Sequence, residues 1–259
     1  MESLESRQLL SGTTTVLMQD DFSGQSVNGN IWHIPTWTPD GSTYLGRTQL
    51  AVAQNASPPH VSGGAVHLTL DTYNPTGFSF YGTELISNKT FKIGTGLDVK
   101  IRAKLNAPIP GGVVGGLFLY MLKPGGTNHD EVDTELLSNQ IATGGNNLHT
   151  NVYANEPLGA GSPLLRPLPG GGKLAGYHTY QMKCEPGRVT WYVDGVLVRS
   201  ERVKVPAGPV KVYLNIWAPA QEWPAAYNSK IQPTSTAAKN KRYSMDVDSV
   251  LVRSVKPGA

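Results

Sequence analysis

The stretch His129-Asp130-Glu131-Val132-Asp133-Thr134-Glu135-Leu136-Leu137 packs four acids and one histidine into its first seven residues. A β-strand sends alternate side chains to opposite faces, so Glu131, Asp133 and Glu135 share one face and Val132, Thr134 and Leu136 the other. A helix would instead set Glu131 against Glu135 at i,i+4 as a repelling pair and turn Asp133 away. The stretch holds no Lys or Arg to offset that repulsion. The strand is therefore the consistent reading, and it lines one surface with three carboxylates.

Breaking a glycosidic bond needs such a surface: one carboxylic acid protonates the leaving oxygen, and one carboxylate attacks or stabilises the oxocarbenium-like centre. Positions i and i+4 of a strand have Cα atoms about 13 Å apart, at roughly 3.3 Å per residue. Two Glu side chains leaning inward across a concave strand approach the roughly 5 to 5.5 Å separation of a retaining glycosidase. The aspartate between them can hydrogen-bond one of them. Like charges at this spacing cannot all ionise cheaply, so at least one group holds its proton near neutral pH, as a general acid must. A metal cluster of His129, Asp130, Glu131, Asp133 and Glu135 is the competing chemistry, but the spacing matches neither an EF-hand loop nor a zinc helix motif.

Glu131-Val132-Asp133-Thr134-Glu135 resembles the Glu-x-Asp-x-Glu signature of glycoside hydrolase family 16, with His129-Asp130 before it and Leu136-Leu137-Ser138-Asn139 after it. The five-residue form resembles the regular-strand branch of lichenases and xyloglucan endotransglycosylases or hydrolases, and not the bulged form of many laminarinases, agarases and carrageenases. The resemblance implies Glu131 as nucleophile, Glu135 as acid/base and Asp133 as assisting residue. It also implies an all-β fold, a jelly-roll sandwich of two curved antiparallel sheets of the concanavalin A-like kind. The expected activity is retaining, endo-acting cleavage of a β-linked polysaccharide with no required cofactor. His129 stands where lichenases often carry Trp, which is closer to the transglycosylase branch, and Thr134 replaces a usual apolar residue. Transglycosylation on the same scaffold and non-catalytic, lectin-like sugar binding are the alternatives.

The chain of 259 residues, with 29 glycines, 19 prolines and a charged fraction of 16%, reads as many short strands between turns. No linker divides it, which favours one domain over residues 13–256. The single cysteine, Cys184, excludes an internal disulfide and reads as a buried, inert thiol. A net charge of +3 gives no case for nucleic acid, and the basic cluster Lys239–Arg242 reads as a solvated loop. The apolar run from Gly111 to Leu122 is too short and too rich in glycine to span a membrane. A monomer acting on polysaccharide is expected. Residues 1–12 lack the apolar core of a signal peptide, but Leu4–Ser11 resembles a Leu-Glu-x-Arg-x-Leu-Leu-Ser motif near the start of many exported bacterial proteins, which implies export.

The elements that must position the acids follow from pattern. Thr13–Met18 reads as a strand, and Trp32 in Asn28–Trp32 as core. Trp37 and Tyr44 fall in a loop, where aromatic rings can stack on sugars. Ala65–Leu70 alternates, with His67 on its solvated face. Tyr81–Ser87 resembles the family strand crossing the cleft floor, which implies a substrate contact for Glu84; a surface carboxylate is the alternative. Leu97–Leu105 alternates without error as a half-buried strand. Val113–Leu122 reads as a central strand buried on both faces and makes a hairpin with the acid strand. Leu148–Ala154 alternates, and Asn151 and Tyr153 either contact sugar or form a structural pair. Glu156–Gly176 has no periodicity and reads as a binding lip. Asp194-Gly195 is a two-residue type I′ turn signal. Leu214-Asn215-Ile216-Trp217 resembles the family's Asn-x-Trp region, which makes Trp217, and less directly Trp223, stacking candidates. In relatives a calcium ion can sit on the convex side, and the acid that would hold it here is Asp248.

Overall fold

The period-two pattern over Leu97–Leu105 is realised residue by residue: Leu97, Val99, Ile101, Ala103 and Leu105 are buried, and the four between them are half-buried. The computed structural model describes residues 14–35, 44–50, 58–106 and 108–255. The Leu4–Ser11 motif, Trp37 and the Tyr44 side chain lie outside the described residues.

Two antiparallel sheets pack face to face. The sheet that carries the acids runs, in spatial order, Leu164–Pro167, Asn147–Pro157, Asn128–Leu137, Val114–Leu122, Pro209–Trp217, Phe80–Ser87 and Trp32–His33. The opposite sheet runs Val196–Glu201, Arg188–Val193, His178–Glu185, Leu97–Leu105 and Arg242–Ser254. Ala65–Asp71 pairs with the first half of that last strand, and Val16–Asp20 with its second half. Phe80–Ser87 also pairs briefly with Ala65–Asp71 and so joins the sheets at one edge. This is the jelly-roll sandwich the acid signature implied.

The core lies between the sheets, where burial of apolar surface provides most of the driving force. Leu117, Leu119, Val132, Leu136, Val212 and Leu214 meet Leu68, Val99, Ile101, Met182, Val189 and Trp191, all fully buried. Trp32 is core as expected, its indole N–H donating to Asp20 Oδ2 at 2.8 Å. Asp194 and Gly195 both have positive φ, 49° and 81°, as a type I′ turn requires. Cys184 is sealed in the core, and burial pushes its thiol up to about 12. Among the described residues no helix is long and apolar enough to cross a membrane.

Four expectations need correction. Val114–Leu122 is buried on both faces only over its first half; Phe118 and Tyr120 are half-exposed, because the strand's second half floors an open groove. The Glu156–Gly176 stretch is not structureless: Asn147–Pro157 runs into it, and Leu164–Pro167 adds an edge strand. His67 is not simply solvated, since both ring nitrogens are engaged. In the basic cluster, Arg242 grips Asp71 through two bonds of 2.9 Å, a bidentate pair.

Candidate active site

The acid strand, Asn128–Leu137, is central, flanked by Val114–Leu122 and Asn147–Pro157. Val132, Thr134 and Leu136 point into the core and Glu131, Asp133 and Glu135 to the other face. Register fixes what stands beside each acid, because directly opposed side chains on one face are neighbours. Glu84, Asn215, Gly116, Glu135 and His149 form one row across five strands. Ile86, Tyr213, Phe118, Asp133 and Asn151 form the next, and Lys211, Tyr120, Glu131 and Tyr153 a third.

These rows floor a groove of about 480 Å³ lined by Glu84, Phe118, Tyr120, His129, Glu131 and Tyr213, among others. Glu131 and Glu135 keep 17% and 15% of their side-chain surface, enough for a substrate to reach them. Asp133 between them is buried. Desolvation foremost, then the charges of Glu131 and Glu135, and then a hydrogen bond with Glu131 hold its carboxyl well above its ordinary range, against a weak opposing pull from Arg199. The Asp133 carboxyl is thus biased toward its protonated, donor form beside Glu131.

The two outer acids have different company. His129 Nε2 lies 2.9 Å from Glu131 Oε2, with the ring packed between Tyr153 and Tyr120 at centroid distances of 4.4 and 5.4 Å. His149 Nδ1 bonds Glu135 Oε2 at 2.7 Å. Trp223 packs edge-on against His149 at 5.0 Å and stacks on Trp217 at 5.7 Å. The two tryptophans thus form a wall against the His149 ring that bonds Glu135. From the opposite sheet, the Trp191 indole donates to the backbone carbonyl of Asp133 at 2.9 Å and pins the middle of the acid strand.

Glu84 lies in the groove, not on an open surface. Burial raises its carboxyl to about 7, opposed by the Asn215 amide, which donates to Glu84 Oε2 at 2.9 Å. Asn151 and Tyr153 share the acids' face but are buried, and Gly161 is packed so closely that a Cβ there would sit 2.7 and 2.6 Å from their side chains. Asp130, on the strand's other face, is structural: its carboxylate meets Lys123 and accepts the backbone N–H groups of Asn155 and Gly208, both at 2.8 Å.

Asp248, the acid expected to hold calcium, has a cationic partner. Its carboxylate faces the Arg102 guanidinium at 3.6 Å, and a cation there competes with a hard metal. Among the described residues no three acidic, His or Cys side chains come together to hold a metal.

Sequence reasoning missed His149, Phe118, Tyr120 and Tyr213. His149 had a usable signal, since it alternates in phase with Asn151 and Tyr153. The three aromatic residues sit in runs whose apolar character suits core and groove equally.

The pattern of Glycosyl hydrolases family 16 matches residues 47–234. A β-glucanase of Bacillus amyloliquefaciens is 30% identical over 178 residues, covering 68% of this chain and 68% of that protein. One from Paenibacillus macerans is 32% identical over 119 residues, 45% of this chain, so the match spans about half, 47%, of that relative. The solved structure of the Bacillus licheniformis β-glucanase superposes with a TM-score of 0.67 at 23% identity, covering 93% of this chain and 98% of that one, and shares the sandwich fold. With the family pattern extending across the acid strand and most of both sheets, the chain belongs to glycosyl hydrolases family 16.

Proposed function

We propose that this glycoside hydrolase is a retaining, endo-acting β-glycanase that cleaves a β-glucan or a xyloglucan-like chain, with residues 13–256 as one catalytic domain. One observation carries the reading: three carboxyl groups share one face of a strand beside a groove that Glu131 lines, with the middle one buried and its carboxyl held well above its ordinary range. Glu131 attacks the anomeric carbon, and Glu135 gives its proton to the departing oxygen and then activates the incoming water. The proton that Asp133 donates holds the Glu131 carboxylate in place and moderates its charge. His149 fixes the orientation of Glu135, and the Trp217–Trp223 wall and Glu84 contact the sugar chain. The β-glucanase names of the relatives support the choice of polysaccharide.

Proton NMR of early products from β-glucan tests the mechanism. The β anomer should form first, and an initial α anomer would refute the double displacement. Glu131→Gln and Glu135→Gln should each lower turnover by orders of magnitude with the unfolding midpoint unchanged. Adding a short oligosaccharide acceptor to the same reaction distinguishes hydrolysis from transglycosylation, because transfer yields products longer than the acceptor. Export agrees with the Leu4–Ser11 motif and with a substrate too large to enter a cell, and N-terminal sequencing of secreted protein tests it.

A further inference from the structure

The outer face of the opposite sheet carries a second constellation that glycoside cleavage does not use. Register sets His60, His67, Asp246 and Lys104 in one row across four strands. His67 Nδ1 meets Asp246 Oδ1 at 2.6 Å, and His67 Nε2 meets Ser62 Oγ at 2.9 Å. This is the order nucleophile, base, orienting acid of a serine hydrolase triad, a unit recognised by geometry and role and not by chain position.

Each member is held as its role requires. Asp246 is buried; its Oδ1 also accepts the Asn106 amide at 2.7 Å, and its Oδ2 faces Lys104 Nζ at 3.5 Å, so the carboxylate is fixed and compensated. With Asp246 accepting from Nδ1–H, Nε2 is left as an acceptor, and Ser62 Oγ–H is its donor; the Ser62 carbonyl also lies 3.2 Å from Nε2. His60 stacks on His67 at 4.8 Å and fixes the ring. Burial foremost, then the neighbouring His67, pushes His60 below its ordinary value. Ser62 is exposed, and the chain turns immediately after it through Gly63 and Gly64, with φ of 58° and 75° and open space where each Cβ would stand. In α/β-hydrolases the backbone N–H of the residue after the nucleophile is an oxyanion donor, and the residue in that position here is Gly63.

We propose that Ser62, His67 and Asp246 form a second, acyl-transferring site that takes small, unhindered carboxylic esters such as acetyl esters. The open surface at the Gly63-Gly64 turn suits an acyl group carried on a larger molecule. Ser62 Oγ bonds to the ester carbonyl carbon as its proton passes to His67 Nε2. The carbon–alkoxy bond then breaks, and the alcohol leaves with that proton. Water repeats the sequence on the acyl-serine, releasing the carboxylic acid and restoring Ser62.

The test is p-nitrophenyl acetate with the intact protein, read by nitrophenolate release and by peptide mass mapping. Acetyl should be found on Ser62, and release should exceed the buffer rate. Ser62→Ala should abolish both, and His67→Gln and Asp246→Asn should each slow release at least tenfold, with thermal midpoints of Ser62→Ala and the wild type alike. Glu131→Gln should release nitrophenolate at the wild-type rate. Acetyl confined to lysine or histidine, or release by Ser62→Ala equal to that of the wild type, would overturn the proposal.

Discussion

Replacing Glu84 by Gln should stabilise the protein at neutral and alkaline pH and leave its stability almost unchanged in mild acid. The side chain is buried, and its carboxyl rises from an ordinary 4.5 to about 7, chiefly through desolvation. A group whose folded value is raised contributes stability that is fully present below its unfolded value and is lost as pH climbs through the folded one. The loss here falls between about pH 4.5 and 7, and at roughly 1.4 kcal/mol per pH unit it amounts to about 3 kcal/mol once Glu84 is ionised. Glutamine removes that loss without disturbing packing, since it keeps the oxygen that accepts the Asn215 amide. Urea unfolding of both proteins at pH 5 and pH 8 measures the effect, and it is the change in their difference that matters, because Asp133 titrates identically in each. A variant no more stable than the wild type at pH 8, or equally favoured at both pH values, would refute the argument that desolvation governs Glu84.

Gly116→Ala should cost about 1 to 3 kcal/mol and weaken substrate binding: the new Cβ would lie 2.3 Å from Asn215 Oδ1, and Asn215 cannot retreat without breaking its bond to Glu84. Thermal melts and KM on β-glucan read both effects. Trp191→Phe removes the indole donor from the Asp133 carbonyl, which keeps its place in the strand ladder, a loss of about 1 kcal/mol by urea unfolding. It should also lower kcat, because the acid strand loses its tie to the opposite sheet. Asp133→Asn keeps a donor toward Glu131 where Asp133→Ala does not, so the Asn variant should retain the larger share of kcat. It should also lose less stability than the wild type as pH rises, since the folded value of Asp133 is raised. Equal kcat values for the two variants would show that the hydrogen bond contributes nothing.

The acid strand was legible because period-two alternation assigns Glu131, Asp133 and Glu135 to one face without reference to any other strand. The same holds for Leu97–Leu105 and for the Asp194-Gly195 turn, where local chemistry is sufficient. What lies between strands was not legible. Tyr120 and Phe118 read as core from hydropathy, and only their register opposite Glu131 and Asp133 turns them toward the groove. His67 and Asp246 are 179 residues apart, so no spacing rule could join them. Arg102, which faces Asp248, likewise comes from a distant strand that no local pattern connects to it.

The cross-strand rows also explain how one strand carries three acids on one face without unfolding. Beside them stand Gly116, Phe118 and Tyr120 on one strand and His149, Asn151 and Tyr153 on the other, with no lysine or arginine among them. The nearest buried guanidinium, Arg199, lies over the Trp191 ring and is engaged with Glu201 and the Thr150 carbonyl. Repulsion within the row is therefore relieved by a retained proton and by histidine contacts, not by permanent cations. Burial first, and then the charges of Glu131 and Glu135 with no Lys or Arg in the stretch to offset them, raise the carboxyl of its central acid.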